Sequence, residues 1–76
     1  MINEHDMVVL TVNVPEFGLV QGDIGFVLCI HSDGAAYEIE FCSADGHTIA
    51  MMTLPADKIR PRTAREILHV RTLVSQ

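Results

Sequence analysis

Short runs of apolar residues, most of them alternating with polar ones at a period of two, succeed one another along this chain. Asp6 to Val14 (DMVVLTVNV) is β-branched and apolar. Alternation puts Val8, Leu10, Val12 and Val14 on one face and Met7, Val9 and Thr11 on the other. Pro15 closes the run, because proline brings no N–H to a ladder. Pro15 to Leu19 reads as a loop with Phe17 and Leu19 as apolar anchors. Gly22-Asp23-Ile24-Gly25 is the next turn, its glycines offering positive φ or room for a close backbone approach. It leads into Gly25 to His31 (GFVLCIH), almost continuously apolar and read as a central strand buried on both faces or strongly bent. Ser32-Asp33-Gly34-Ala35 is a hairpin signal. Tyr37 to Cys42 (YEIEFC) alternates cleanly, with Tyr37, Ile39 and Phe41 inward and Glu38 and Glu40 outward. After a second hairpin turn at Ala44 to His47, Thr48 to Leu54 (TIAMMTL) is a fourth strand.

Pro55 to Ile59 predicts one short 3-10 turn. Arg60-Pro61-Arg62 is extended, because the residue before proline avoids the helical region. The last segment supports two readings. Thr63-Ala64-Arg65-Glu66 has the spacing of a capping box, which would start a helix with Ile67, Val70, Leu73 and Val74 on one face. Glu66 to Leu73 (EILHVRTL) is also β-branched and alternating, as a strand would be. With the strand reading, residues 1–76 form one all-β domain. It is a small SH3-like, five-stranded barrel with a short 3-10 turn before the last strand, 60–65 being a basic loop and 66–73 the final strand. A flat sheet of this size would leave one face and two edges bare.

Composition changes this picture little, and charge changes it more. At 76 residues and 49% hydrophobic content the chain is one ordered domain. No apolar run approaches the roughly 20 residues that span a bilayer. The polar start Met1 to Asp6 lacks the form of a signal peptide, so a cytoplasmic protein is expected. Cys29 and Cys42 then read as buried thiols rather than a disulfide. The net charge of −5 conceals a division. Every Lys and Arg lies in the last nineteen residues, as Lys58, Arg60, Arg62, Arg65 and Arg71. The first 57 residues carry −9; the remainder, five cations less Glu66, carries +4. An acidic body with a basic tail can hold itself together, dimerise head to tail or grip a partner, so the cations either pair with the barrel's own acids or contact an acidic partner. It argues against a general nucleic-acid binder, which needs a basic surface.

Candidate chemistry is sparse. Glu38 and Glu40 share a strand face roughly 7 Å apart, a spacing that paired-carboxylate hydrolysis also uses, but they fit the solvated face of an alternating strand. His5, His31, His47 and His69 are scattered, with no metal-binding spacing, although His31 and His47 approach each other if their hairpins lie side by side. No cation is expected beside either cysteine to activate it. The Gly22-x-x-Gly25 string is too short for a phosphate loop. These features lead to the expectation of no enzymatic activity, no cofactor and no metal.

The strings L-x-x-G-D-I-G-x-V (Leu19 to Val27), D-G-x-A-Y-E-I-E-F (Asp33 to Phe41) and D-G-x-T-I-A-x-x-T-L (Asp45 to Leu54) resemble, in order and spacing, a family of small bacterial proteins, the domain of unknown function 4926. Asp6-Met7-Val8, the Pro15 to Leu19 loop and Leu68-His69 fit the same resemblance. Phe26 departs from it, since the family often has Thr there, and Arg60 to Arg65 is longer than in the shortest members. The resemblance implies an SH3-like barrel and tips Glu66 to Leu73 towards strand. It implies no established activity. Neighbouring genes for toxins or other small partners suggest an antitoxin- or immunity-type binder.

The expected function is therefore a non-enzymatic protein–protein interaction module. Its contacts would be the basic residues Lys58, Arg60, Arg62 and Arg65 with Ile67, His69 and Arg71 of the last strand, whose exposed edge could also pair two copies of the chain. The alternative is an RNA- or ribosome-associated module using the same tail, because Gly22-Asp23-x-Gly25-x-Val27 resembles KOW-type barrels.

Overall fold

The computed structural model describes residues 2–73. Its elements are β1 (Met7–Leu10), a 3-10 turn at Pro15–Phe17, β2 (Ile24–His31), a 3-10 turn at Ser32–Gly34, β3 (Ala36–Cys42), β4 (Thr48–Pro55), a 3-10 turn at Ala56–Lys58, and β5 (Ile59–Pro61). All neighbouring strands are antiparallel, in the order β4-β3-β2-β1-β5. Strands β4 and β5 are thus the two ends of the ladder, yet only the turn at Ala56–Lys58 separates them in the chain. A flat sheet would hold its outer strands about 19 Å apart, four spacings of about 4.8 Å. The four peptide steps from Pro55 to Ile59 reach about 14 Å at most. The sheet must therefore curl on itself, and the result is an all-β, SH3-like architecture.

The core lies inside that curl. Val8, Leu10, Leu19, Val27, Tyr37, Ile39, Phe41, Ala50, Leu54 and Ile59 form one buried cluster. Strand β3 behaves as its alternation predicts, with Tyr37, Ile39 and Phe41 buried between half-buried neighbours. Gly25 makes the curl tight. It pairs with Val8, and a Cβ at this position would collide with Ile39 and stand 2.9 Å from the Phe41 ring. Its smallness serves a close approach rather than a turn.

Three expectations need correction. Strand β1 ends at Leu10; Val12 and Val14 pack beside the core from a loop. Of the two loop anchors only Leu19 is buried, while Phe17 is half exposed. Strand β2 is not buried on both faces. Gly25 and Val27 are buried, and Phe26 and Leu28 are exposed.

A fourth correction concerns the last strand. Residues 66–73 are neither strand nor helix, and the fifth strand is Ile59–Pro61, spanning the end of the expected 3-10 turn and the start of the expected basic loop. Ile59 explains this. It is buried and sits opposite Leu10, so it takes the place beside β1 that a later strand would need. Pro61 is tolerated at the edge, and it ends the strand. The capping-box residues do meet: the Thr63 N–H donates to Glu66 Oε1 at 2.7 Å, and the Glu66 N–H to the Thr63 carbonyl at 3.2 Å. They close a turn and no helix follows, since a short β-branched segment with no apolar surface to bury is marginal as a helix. Val74, the last residue of the helical reading, lies outside the described residues. The strand through which two copies were expected to pair is therefore absent.

Candidate functional site

Two features of the surface go beyond what the core requires. The first is the segment after β5, which lies as a strap across one end of the barrel, where β2 begins, β3 ends and β4 begins. Arg71 clips it down. Its Nε donates to Asp23 Oδ1 at 2.7 Å, and its terminal nitrogen donates to Asp23 Oδ2 at 2.6 Å and to the Gly18 carbonyl at 2.8 Å. The Val20 N–H also donates to Asp23 Oδ2, at 2.9 Å. Burial raises the Asp23 pKa, but the Arg71 and Val20 hydrogen bonds outweigh it and the carboxyl stays below its ordinary range. Between strap and barrel is a cleft of about 340 Å³, bordered by Leu19, Phe41, Cys42 and Ile49 on the barrel and by His69 and Leu73 on the strap.

A second clip anchors the strap's start. Arg60 on β5 reaches Glu66 with both terminal nitrogens, one of them at 3.0 Å from Oε1. With the Thr63 N–H adding a further bond, Arg60 holds the Glu66 pKa down at about 2. Two of the five cations are thus committed to the chain itself. Among the described residues, Lys58, Arg62 and Arg65 form no ion pair. Beside them the strap turns apolar side chains to solvent: Ile67 is 91% exposed, Val70 82% and Leu68 55%.

The seven residues read from sequence as partner-binding are therefore brought onto one segment with different roles. Lys58, Arg62, Arg65 and Ile67 are presented outward, Arg60 and Arg71 are clips, and His69 borders the cleft. Sequence reasoning could not choose Arg71 as a clip, because its partners lie 48 and 53 residues away.

The second feature lies on the outer face of the sheet and was missed. Cys29 Sγ is 3.5 Å from His31 Nε2 and 3.9 Å from Glu38 Oε1, and His31 Nε2 is 3.6 Å from that same oxygen. The shift of register between Val27 and Cys29 makes this cluster. Val27 faces inward opposite Ile39, and strict alternation would turn Cys29 and His31 inward too. The extra residue, Leu28, reverses the phase, so Cys29 lies opposite Glu38 and His31 follows on the same face. Burial pushes the Cys29 thiol up, and the Glu38 and Glu4 carboxylates add to the push.

The remaining candidates separate. His31 and His47 sit by opposite ends of β3 and do not meet; His47 pairs with Asp45 at 3.0 Å. Glu38 and Glu40 do not act as a pair, since Glu40 accepts from the Thr48 hydroxyl. Both cysteines are free and only half buried.

The fold and strap together define a small SH3-like barrel carrying a basic, apolar segment across one end. The chain belongs to the family described as a domain of unknown function (DUF4926), whose model matches residues 4–61. The match ends with β5, so the strap, including Leu68-His69, lies beyond it. No curated protein and no solved structure matches the chain. Among the described residues no helix is long and apolar enough to cross a membrane.

Proposed function

We propose that this protein is a binding module for another protein, with no chemistry of its own, and that the strap is its contact surface. The observation that carries this reading is the exposure of Ile67 and Val70, at 91% and 82%, beside cations that form no ion pair among the described residues. An extended segment with apolar side chains in water gains by covering them. The adjacent Lys58, Arg62 and Arg65 favour an acidic partner and speed its arrival. The strap is held by two charged clips rather than by the core, so it can shift to fit a partner without unfolding the barrel. An antitoxin- or immunity-type pairing with the product of a neighbouring gene is the form of this reading that the family resemblance favours. A cytoplasmic setting suits the free thiols of Cys29 and Cys42.

The test is affinity capture from the native host, with the recovered protein then purified and titrated against the chain. The double variant R62E/R65E and the single variant Ile67→Asp should each lose the partner. A partner retained by both variants would place the contact elsewhere. If the captured ligand is instead RNA, with an affinity that falls steeply as salt is raised, the ribosome-associated alternative replaces this reading.

A further inference from the structure

We infer that Cys29, His31 and Glu38 form a zinc-binding site on the outer face of the sheet. The three donor atoms, Sγ, Nε2 and Oε1, all lie within 4.8 Å of one another, at separations of 3.5, 3.6 and 3.9 Å. A tetrahedral zinc ion with bonds of about 2.3 Å to sulfur and about 2.0–2.1 Å to nitrogen and oxygen holds such donors about 3.3–3.6 Å apart. Shifts of a few tenths of an ångström close the observed triangle to that size. The fold supplies the arrangement without a loop: two donors stand two residues apart on β2 after the bulge, and the third is the cross-strand partner of the first on β3. Rigid strands are a better foundation for coordination than mobile segments.

The same three residue types could instead form a nucleophile, a base and an orienting acid. The geometry distinguishes the two. A relay uses both ring nitrogens of the histidine, one towards the nucleophile and the other towards the acid. Here a single nitrogen, Nε2, faces both Cys29 and Glu38, and a single oxygen of Glu38 faces both Cys29 and His31. Three donors aimed at one point form a chelate. Thiolate, imidazole and carboxylate suit zinc, whereas magnesium and calcium prefer oxygen alone. Three protein ligands leave a fourth position for water or for a donor from a binding partner. The His31 side chain is 45% exposed, so that position opens to solvent.

The test is titration of tag-free protein with Zn²⁺ and, for spectroscopy, with Co²⁺. One ion per chain is expected, and the cobalt form should show thiolate-to-metal charge transfer with the intense visible bands of a tetrahedral site. Cys29→Ser should abolish the charge-transfer band. His31→Ala and the near-isosteric Glu38→Gln should each weaken zinc binding more than about tenfold. Cys42→Ser should leave both signals in place, and circular dichroism should show every variant folded. Binding of less than one zinc per chain, a cobalt spectrum without thiolate bands, or signals lost in Cys42→Ser but kept in Cys29→Ser would each overturn the assignment.

Discussion

Gly25 decides how closely the sheet can fold over itself. The space a methyl group would need is already filled by Ile39 and Phe41, inward-facing neighbours on the adjacent strand β3. Gly25→Ala should therefore destabilise the protein by about 1–3 kcal/mol, the usual cost of overpacking a filled core. Urea or thermal unfolding reads this directly, and an unchanged midpoint would show that the sheet has slack there. Asp23 is the other decisive single residue. Its carboxylate receives two bonds from Arg71 and one from a backbone N–H. Asp23→Asn should cost about 1 kcal/mol or less in global stability, because the pair is partly exposed to water. Its larger effect should be local, as faster trypsin cleavage after Arg65 when the strap is released. Equal cleavage rates would mean that Arg71 does not hold the segment. The first role was half legible, since the glycines of the Gly22 to Gly25 turn offer either positive φ or room for a close approach, and Gly25 uses the second. The other was not, because nothing in the local sequence links Arg71 to Asp23.

At the scale of elements, the first four strands were legible, while their edges and the fifth strand were not. The alternation of Tyr37 to Cys42 fixes its buried face without help from tertiary structure, because one side of a strand must be apolar to bury. The run Gly25 to His31 concealed a bulge. Its residues are apolar on both sides of Leu28, so a change of phase leaves no mark in the hydrophobic pattern. The tail was misread because its β-branched alternation is a local preference, whereas the place beside β1 was already taken by Ile59. The strap that results is held by carboxylates, which makes it sensitive to acid. The folded-state pKa values of Asp23 and Glu66 are depressed, so their stabilising contribution is complete above the ordinary values of 3.8 and 4.5. It is lost as pH falls through the folded values, which for Glu66 is about 2. Protection of the strap's amides, measured against their intrinsic exchange rates at each pH, should therefore be constant near neutral pH and fall in that acid range before the barrel melts. Exchange that accelerates only together with the core would sink the picture of an independently released strap.

For the whole molecule, the core cluster contains no residue after Ile59, and the family match stops at Pro61. The folding unit and the strap are thus separable in the chain. A protein truncated after Arg62 should keep its sheet by circular dichroism and melt within about 5 °C of the full chain, a shift that corresponds to about 1 kcal/mol in a domain of this size. The same truncation should lose the protein partner. A truncated chain that fails to fold would make the strap a structural element rather than a contact surface. The division of charge follows the same boundary. Acids dominate the barrel and cations gather at its end, so the molecule has a strong sense of direction in the field it offers a partner.

The first four strands, the inward face of β3, the turn at Ala56–Lys58 and the separation of charge were determined by the sequence alone. Each depends on neighbours in the chain, where the period of the backbone and the turn preferences of Gly, Asp and Pro act directly. The strand that completes the sheet, the clip between Arg71 and Asp23, and the meeting of Cys29, His31 and Glu38 were decided only by tertiary structure. Each depends on which distant residue arrives opposite, and that is set by competition for one place beside β1 and by a single added residue in β2.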